Sequence, residues 1–125
     1  MNIPANLRYT ADHEWALQDG EYLVIGITDF AQGELGDIVY VSIPNLDKQL
    51  SANDSFGEVE AVKAVSELFM PVSGTIVAVN ELLEQSPDLV NSDPYGEGWM
   101  IRVKPDNPAD FEALLDAAAY KELVG

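Results

Sequence analysis

The apolar and polar positions of this chain fall into short blocks separated by turn-forming residues. Residues 21–27, EYLVIGI, form an apolar run that predicts a strand. Asp19 and Gly20 stand just before it and predict a hairpin turn, with residues 13–17 as the strand paired across it. Thr28 or Asp29 is placed to cap a short helix that passes through Phe30, Ala31 and Leu35 and ends at Gly36. Residues 37–43 are rich in Ile and Val and predict a strand stopped by Pro44. Residues 74–79 and 99–103 predict two more strands. Between them, residues 87–98 are dense in Pro, Gly, Asn and Asp and predict a loop with at most one helical turn. Asn107 followed by Pro108 predicts a helix start with Pro at its first position. Asp116 caps a second helix over 117–124, which Gly125 terminates. No linker, low-complexity tract or short repeat breaks the pattern. The sum is mostly β, α+β in broad class, and residues 1–125 read as a single domain.

Residues 56–70, FGEVEAVKAVSELFM, fit two patterns at once. Val59, Val62, Val65 or Ser66, and Phe69 recur at helical spacing, which places Glu60 and Glu67 beside Lys63 as ordinary helix ion-pair partners. Three β-branched valines in seven residues, and Pro71 close behind, argue against a helix. Periodicity leaves helix and strand open here.

Composition narrows the function. A chain of 125 residues buries roughly two-thirds of its unfolded surface. Its hydrophobic fraction of 47%, with Trp15, Trp99, five Tyr and four Phe, belongs to a folding chain. Against 22 acidic side chains stand 6 basic ones, a formal net charge of −16. Such a chain repels phosphate backbones and anionic lipid, and it favours partners with basic docking surfaces. Cysteine is absent, so disulfides, thiolate catalysis and Cys-based zinc sites are excluded. The single histidine, His13, has no G-x-S-x-G elbow to serve, and it is expected to order the first hairpin. Trp15 and Trp99 are expected in the core. No apolar run is long enough to span a bilayer, and the start MNIPANLRYT has neither an export nor a transit pattern. The expected location is the bacterial cytoplasm, or the mitochondrial matrix for a processed eukaryotic form.

Lys63 stands out by its setting. It is the only cation between Lys48 and Arg102, against nine carboxylates, and its neighbours Val62, Ala64 and Val65 are small and uncharged. A plain surface lysine balancing local acids is the simplest account. A catalytic lysine needs desolvation or cationic neighbours to lower its pKa, and surrounding carboxylates do the reverse. Covalent attachment of a cofactor, with the chemistry done by another enzyme, suits this setting better.

The word EAVKAVSELFMPVSGTIVAVN resembles the lipoyl-lysine signature of glycine cleavage H proteins, on Glu60, Val62, Lys63, Ala64, Ser66, Pro71, Ser73, Gly74 and Asn80. Ala61 stands where that family usually has serine. Gly57, upstream of the lysine, and Gly74, eleven residues downstream, match glycines common to lipoyl modules. His13-Glu14-Trp15, residues 26–44, residues 87–105 and the tail ADFEALLDAAAYKELV also resemble family segments in order and spacing, so the similarity covers roughly residues 7–124. One departure is Asp47, where the family has Gly soon after the proline at Pro44.

The resemblance implies a barrel-sandwich hybrid of lipoyl/biotinyl type. Two small antiparallel sheets, short flanking helices and a C-terminal helical segment are expected, with Lys63 on an exposed hairpin whose turn lies at residues 62–65. It implies lipoic acid bound covalently to Lys63 and a carrier that performs no net catalysis alone. The arm, on the order of 10–15 Å long with its lysine, would take an aminomethyl group from a pyridoxal-phosphate glycine decarboxylase, the P protein. It would deliver that group to a tetrahydrofolate-dependent aminomethyltransferase, the T protein, and be reoxidised by dihydrolipoamide dehydrogenase, the L protein. Glu14, Asp12 and Glu67 are expected to hold the loaded arm's amine. Glu60, with Gly57 and Gly74, is expected to serve recognition by lipoate-attaching enzymes, Glu58 being a second candidate. A monomer is expected. A biotin carrier usually shows Met-Lys-Met, and a lipoyl domain of a 2-oxo acid dehydrogenase usually has Asp before its lysine; Val62 and Ala64 argue against both. A lipoyl-relay protein, donating lipoyl groups to other enzymes, is the alternative function. A plain binding module without the arm is a further one.

Overall fold

The computed structural model describes residues 2–125. The first strand, β1 (Arg8–Tyr9), pairs with β2 (Glu14–Asp19), which turns into β3 (Tyr22–Ile27). The register runs from Glu14 opposite Ile27 to Asp19 opposite Tyr22, so Gly20 and Glu21 alone form the turn. Helix α1 (Asp29–Leu35) begins where the hydroxyl of Thr28 accepts from the Ala31 N–H at 3.2 Å. It ends where the Gly36 N–H donates to the Gln32 carbonyl at 2.9 Å. Strands β4 (Ile38–Ser42), β5 (Gln49–Leu50), β6 (Ser55–Ala61), β7 (Val65–Phe69) and β8 (Gly74–Val79) follow. Two single-turn helices, α2 (Leu82–Gln85) and α3 (Leu89–Ser92), lead to β9 (Ile101–Pro105). A 3-10 turn at Pro108–Phe111 and helix α4 (Ala117–Val124) complete the chain.

The architecture is mostly β with short helices, as expected, but its two sheets are unequal. One has six strands in the order β1-β2-β3-β9-β8-β5, and the other three, β4-β6-β7. Every named strand pairing is antiparallel. Strands β1 and β5 have two residues each, too few for any periodicity to mark them. The strand expected at 99–103 starts later because the Trp99 N–H is turned back to the Gly96 carbonyl. The helix expected from Asn107-Pro108 is a single 3-10 turn with Pro108 at its first position, and the Asn107 side chain caps it by accepting from the Ala109 N–H.

Residues 56–70 are strands. In the helical pattern Val62 and Val65 would face the core, yet they are 69% and 62% exposed. The buried residues are Phe56, Val59, Leu68 and Met70, which pairing of β6 with β7 turns inward.

The main core lies between the two sheets. Ile25, Ile27, Ile76, Ile101 and Val103 of the large sheet meet Phe56, Val59 and Leu68 of the small one. A second cluster, Leu7, Tyr9, Trp15, Val24 and Tyr120, packs where α4 covers the outer face of the large sheet. Strand β3 therefore contributes to a core on each face, which is why it reads as a continuous apolar run rather than an alternating one. Trp99 packs half-buried against the second cluster. Among the described residues, no helix is long and apolar enough to cross a membrane.

Candidate functional site

Lys63 sits at the tip of the β6–β7 hairpin, with residues 62–65 all exposed. The Ala61 N–H donates to the Ala64 carbonyl at 2.7 Å and closes the turn. The Val62 N–H donates to the Asp37 carbonyl at 3.1 Å, which ties the tip to the approach of β4. Ala61, buried, anchors the hairpin from below. The tip is thus a fixed backbone that presents a free side chain. Among the described residues the one side-chain ion pair joins Arg102 to Asp19 at 2.8 Å, so Lys63 is not engaged by its acidic neighbours.

The two glycines lie where strands press together. A Cβ on Gly57 would strike the carbonyl oxygen of Ser42 on β4. A Cβ on Gly74 would sit 2.6 Å from the Lys104 carbonyl oxygen and 2.7 Å from a Val103 methyl on β9. Both have a packing reason that is independent of any partner. Asn80, the last residue of the signature, is buried and donates from its amide to the Glu97 and Trp99 carbonyls at 2.7 and 2.8 Å. It fixes the loop that returns the chain to β9.

The faces of β7 divide the acidic residues. Ser66 turns toward a groove of about 390 Å³ that is also lined by Asp12, His13, Phe30, Ala31, Glu34 and Leu35. Glu67 turns the other way. It stands opposite Glu58 in the pairing of β6 with β7, on the wall of a different groove of about 280 Å³ with Ser42, Pro44 and Asn45. Glu14 lies beneath the surface and is only 2% exposed. Its carboxylate accepts from the Phe69 N–H at 2.9 Å and from the Thr10 hydroxyl at 3.2 Å. Burial pushes its pKa up to about 8, and the charge of nearby Asp12 adds to the rise. Asp12 and Glu14 are therefore neighbours beside the hairpin, while Glu67 does not join them. Another surface depression, about 570 Å³ and lined by residues 79–82 and 84–86, contains none of the sequence-predicted site residues.

His13 forms one wall of the groove in a left-handed backbone conformation, φ 67°. Its Nδ1 lies 2.9 Å from the Tyr120 hydroxyl, which lies 2.8 Å from the Thr28 hydroxyl. The ring packs on Phe30 with centroids 4.8 Å apart. Helix α4 and the start of α1 thus hold His13 together, and Tyr120 in turn stacks on Tyr9.

Phe30, Glu34, Leu35 and Ser66 were not singled out from the sequence as groove residues. They come from α1 and β7, and nothing in their spacing announces that the two elements meet. The one available signal was the Thr28-capped helix directly after the HEW hairpin.

An arm on Lys63 fits this arrangement. Ser66 lies three residues after Lys63, at most about 10 Å away along the chain, so the groove is within the span of an arm on the order of 10–15 Å. Its floor of Phe30, Ala31 and Leu35 is apolar, and Asp12 and Glu34 on its walls are acidic. Among the described residues no group of three His, Asp or Glu side chains is gathered to hold a metal ion.

The profile of the Glycine cleavage H-protein family matches residues 7–125. A glycine cleavage system H protein of Anaeromyxobacter sp. (strain K) is 55% identical over 124 residues, 99% of this chain and 97% of that protein. One from Chlorobaculum tepidum is 56% identical over 127 residues, covering 100% of this chain and 99% of its own length. A crystal structure of a glycine cleavage system H protein from Mycobacterium marinum superposes with a TM-score of 0.89 at 40% identity, covering 98% of this chain and 99% of that one. The two-sheet fold with its flanking helices is therefore that of a solved H protein, the lipoyl-type barrel-sandwich hybrid.

Proposed function

This chain belongs to the glycine cleavage H-protein family, and from that premise we propose that it carries lipoic acid covalently on Lys63. It serves the glycine cleavage system as carrier between the P, T and L proteins, working in the bacterial cytoplasm as a monomeric, non-catalytic component with residues 1–125 as one carrier domain. The lipoyl group supplies two sulfurs that accept the one-carbon unit of glycine and cycle between disulfide and dithiol. Everything else in the mechanism is positioning. The fixed tip at residues 62–64 offers Lys63 to the attaching enzyme and then swings the arm outward from one point. Tethering keeps the cargo at high effective concentration between enzymes.

The observation that carries this reading is an unpaired lysine on a backbone-locked hairpin tip, beside an apolar groove with acidic walls. Asp12, with Glu14 behind it, would hold a cationic amine in that groove, and Phe30 and Leu35 would exclude water from it. An amine drawing Glu14 into its ionised form would release that residue's proton as the arm settles. Glu67, facing outward beside Glu58, is better placed for a protein partner. No observation favours the lipoyl-relay alternative.

Intact mass before and after incubation with a lipoate ligase, ATP and lipoate tests the reading. The expected result is a gain of one lipoyl group on the native chain and none on Lys63→Ala. If the native chain gains nothing under conditions that modify a known acceptor, Lys63 is not an attachment point.

A further inference from the structure

His13 meets the groove with one ring nitrogen and the protein interior with the other. Its Nδ1 lies 2.9 Å from the hydroxyl of Tyr120, a residue of α4 that does not line the groove. Nε2 has no hydrogen-bond partner among the described residues and is not buried. The backbone holds the ring in place. At φ 67° the His13 N–H donates to the Thr10 carbonyl at 3.1 Å, and the Thr28 N–H donates to the His13 carbonyl at 3.0 Å. Left-handed backbone outside glycine is uncommon, and it gathers at functional sites.

Thr28 sets the direction of the protons. Its hydroxyl, in a residue 0% exposed, accepts from the Ala31 N–H at the start of α1. Among the described residues its own proton then has one oxygen to go to, that of Tyr120 at 2.8 Å. The reverse arrangement leaves a buried hydroxyl proton without an acceptor, which is costly. Tyr120 is also 0% exposed, and burial raises its pKa despite the Thr28 bond, so it keeps its proton. Having accepted from Thr28, it donates to His13 Nδ1. Neutral His13 therefore carries its proton on Nε2.

We propose that Tyr120 is a positioning residue for the arm's cargo: it locks His13 in the Nε2–H tautomer, so the groove wall shows a hydrogen-bond donor and withholds a base. The proposal rests on Lys63 carrying the arm into this groove.

The chemistry of the cargo makes the tautomer matter. An aminomethyl group on sulfur persists while its nitrogen is an ammonium. When a base takes a proton from that nitrogen, the lone pair forms a C=N bond as the C–S bond breaks. The sulfur keeps the bonding electrons and leaves as a thiolate. Water then adds to the iminium ion, which ends as formaldehyde and ammonium. An unprotonated imidazole nitrogen is the natural base for the first step near neutral pH. A carboxylate in water, the chemistry of the Asp12 and Glu34 walls, is a much weaker base. Glu14 is 2% exposed and turns its oxygens to the Phe69 and Thr10 donors. His13 is thus the base to be silenced. A bare Nε2 would stand in the groove if the ring proton moved to Nδ1, and Tyr120 prevents that by filling Nδ1 with its own proton.

Two-bond proton–nitrogen correlation spectra of the unmodified chain read the tautomer at about pH 8.5, above the usual histidine titration. His13 is the only histidine, so its signals identify themselves. The expected pattern is a bare Nδ1 and a protonated Nε2 in the native chain and in Thr28→Ser, and a mixture in Tyr120→Phe. The lipoylated proteins are then loaded from glycine by a P protein, separated from it, and followed by formaldehyde release. Tyr120→Phe keeps the ring stacked on Tyr9 and is expected to release formaldehyde about fivefold faster than the native chain. Thr28→Ser is expected to release it at the native rate. Adding His13→Asn to Tyr120→Phe removes the base with a side chain that tolerates left-handed backbone, and is expected to bring release back to within about twofold of native. Thermal unfolding checks that each variant folds. A protonated Nδ1 in the native chain overturns the lock, whatever the variants do. Native-rate release from Tyr120→Phe overturns it too, as does fast release that persists in the double variant, which would mean that water entry and not a base frees the cargo. In all three cases Lys63 stays the acceptor. A native chain that takes up no lipoyl group overturns the carrier reading itself and this role of Tyr120 with it.

Discussion

Glu14 is a buried carboxyl without a counter-charge. It has two hydrogen-bond donors, the Phe69 amide and the Thr10 hydroxyl, but burial outweighs them and lifts its pKa from 4.5 to about 8. A group that holds its proton more tightly in the folded chain stabilises the fold most when pH lies below its unfolded value. That contribution is present below 4.5 and is lost as pH rises toward and through 8. Glu14→Gln keeps an acceptor for Phe69 and cannot ionise. The stability of the native chain relative to this variant is therefore expected to fall by about 3 kcal/mol between about pH 5 and about pH 8. Urea unfolding of both proteins across that window measures it, and parallel curves would remove Glu14 as a titrating group.

At the scale of elements, the lysine hairpin is held by close strand approach at Gly57, by backbone bonds at its tip and by burial of Phe56, Val59, Ala61 and Leu68 in the core. The turn between β4 and β5 shows a different economy. Asp47, standing where the family has glycine, adopts φ 67° and donates its N–H to the Ile76 carbonyl at 2.8 Å. The left-handed region disfavours any residue with a Cβ, although Asp tolerates it better than most. Glycine meets the same φ without that penalty but is freer in the unfolded chain. The balance predicts that Asp47→Gly is stabilising by about 0.5 kcal/mol, read from the urea midpoint. A destabilised variant would mean that the Asp47 side chain contributes something beyond its backbone.

For the whole molecule, charge governs encounter. With 22 acidic against 6 basic side chains, the net charge is strongly negative, and basic partner surfaces are drawn in at long range. Lipoylation measured as kcat/KM is expected to drop at least severalfold from about 20 mM to about 500 mM salt, mostly through KM. A rate indifferent to salt would mean that apolar contact, not field, brings the partners together.

Much of the chain was legible before folding was considered. The caps at Thr28, Asn107 and Asp116, the breaks at Gly36 and Pro44, and the β8 span were set by residue chemistry within a few positions. Such signals act through local backbone bonds, so the sequence carries them directly. The word around Lys63 likewise identified the family and its candidate attachment point. Residues 56–70 were not legible from pattern, because valines spaced three apart carry a helical period while their β-branching favours a strand. Only tertiary structure buried Phe56, Val59 and Leu68 against the large sheet and left Val62 and Val65 in water. It also decided the acidic site. Alternation along β7 sends Ser66 to one groove and Glu67 to the other, and β2 buries Glu14 behind β7. Which carboxylates share a space depends on how two sheets pack, and that is a property of distant contacts that no local spacing encodes.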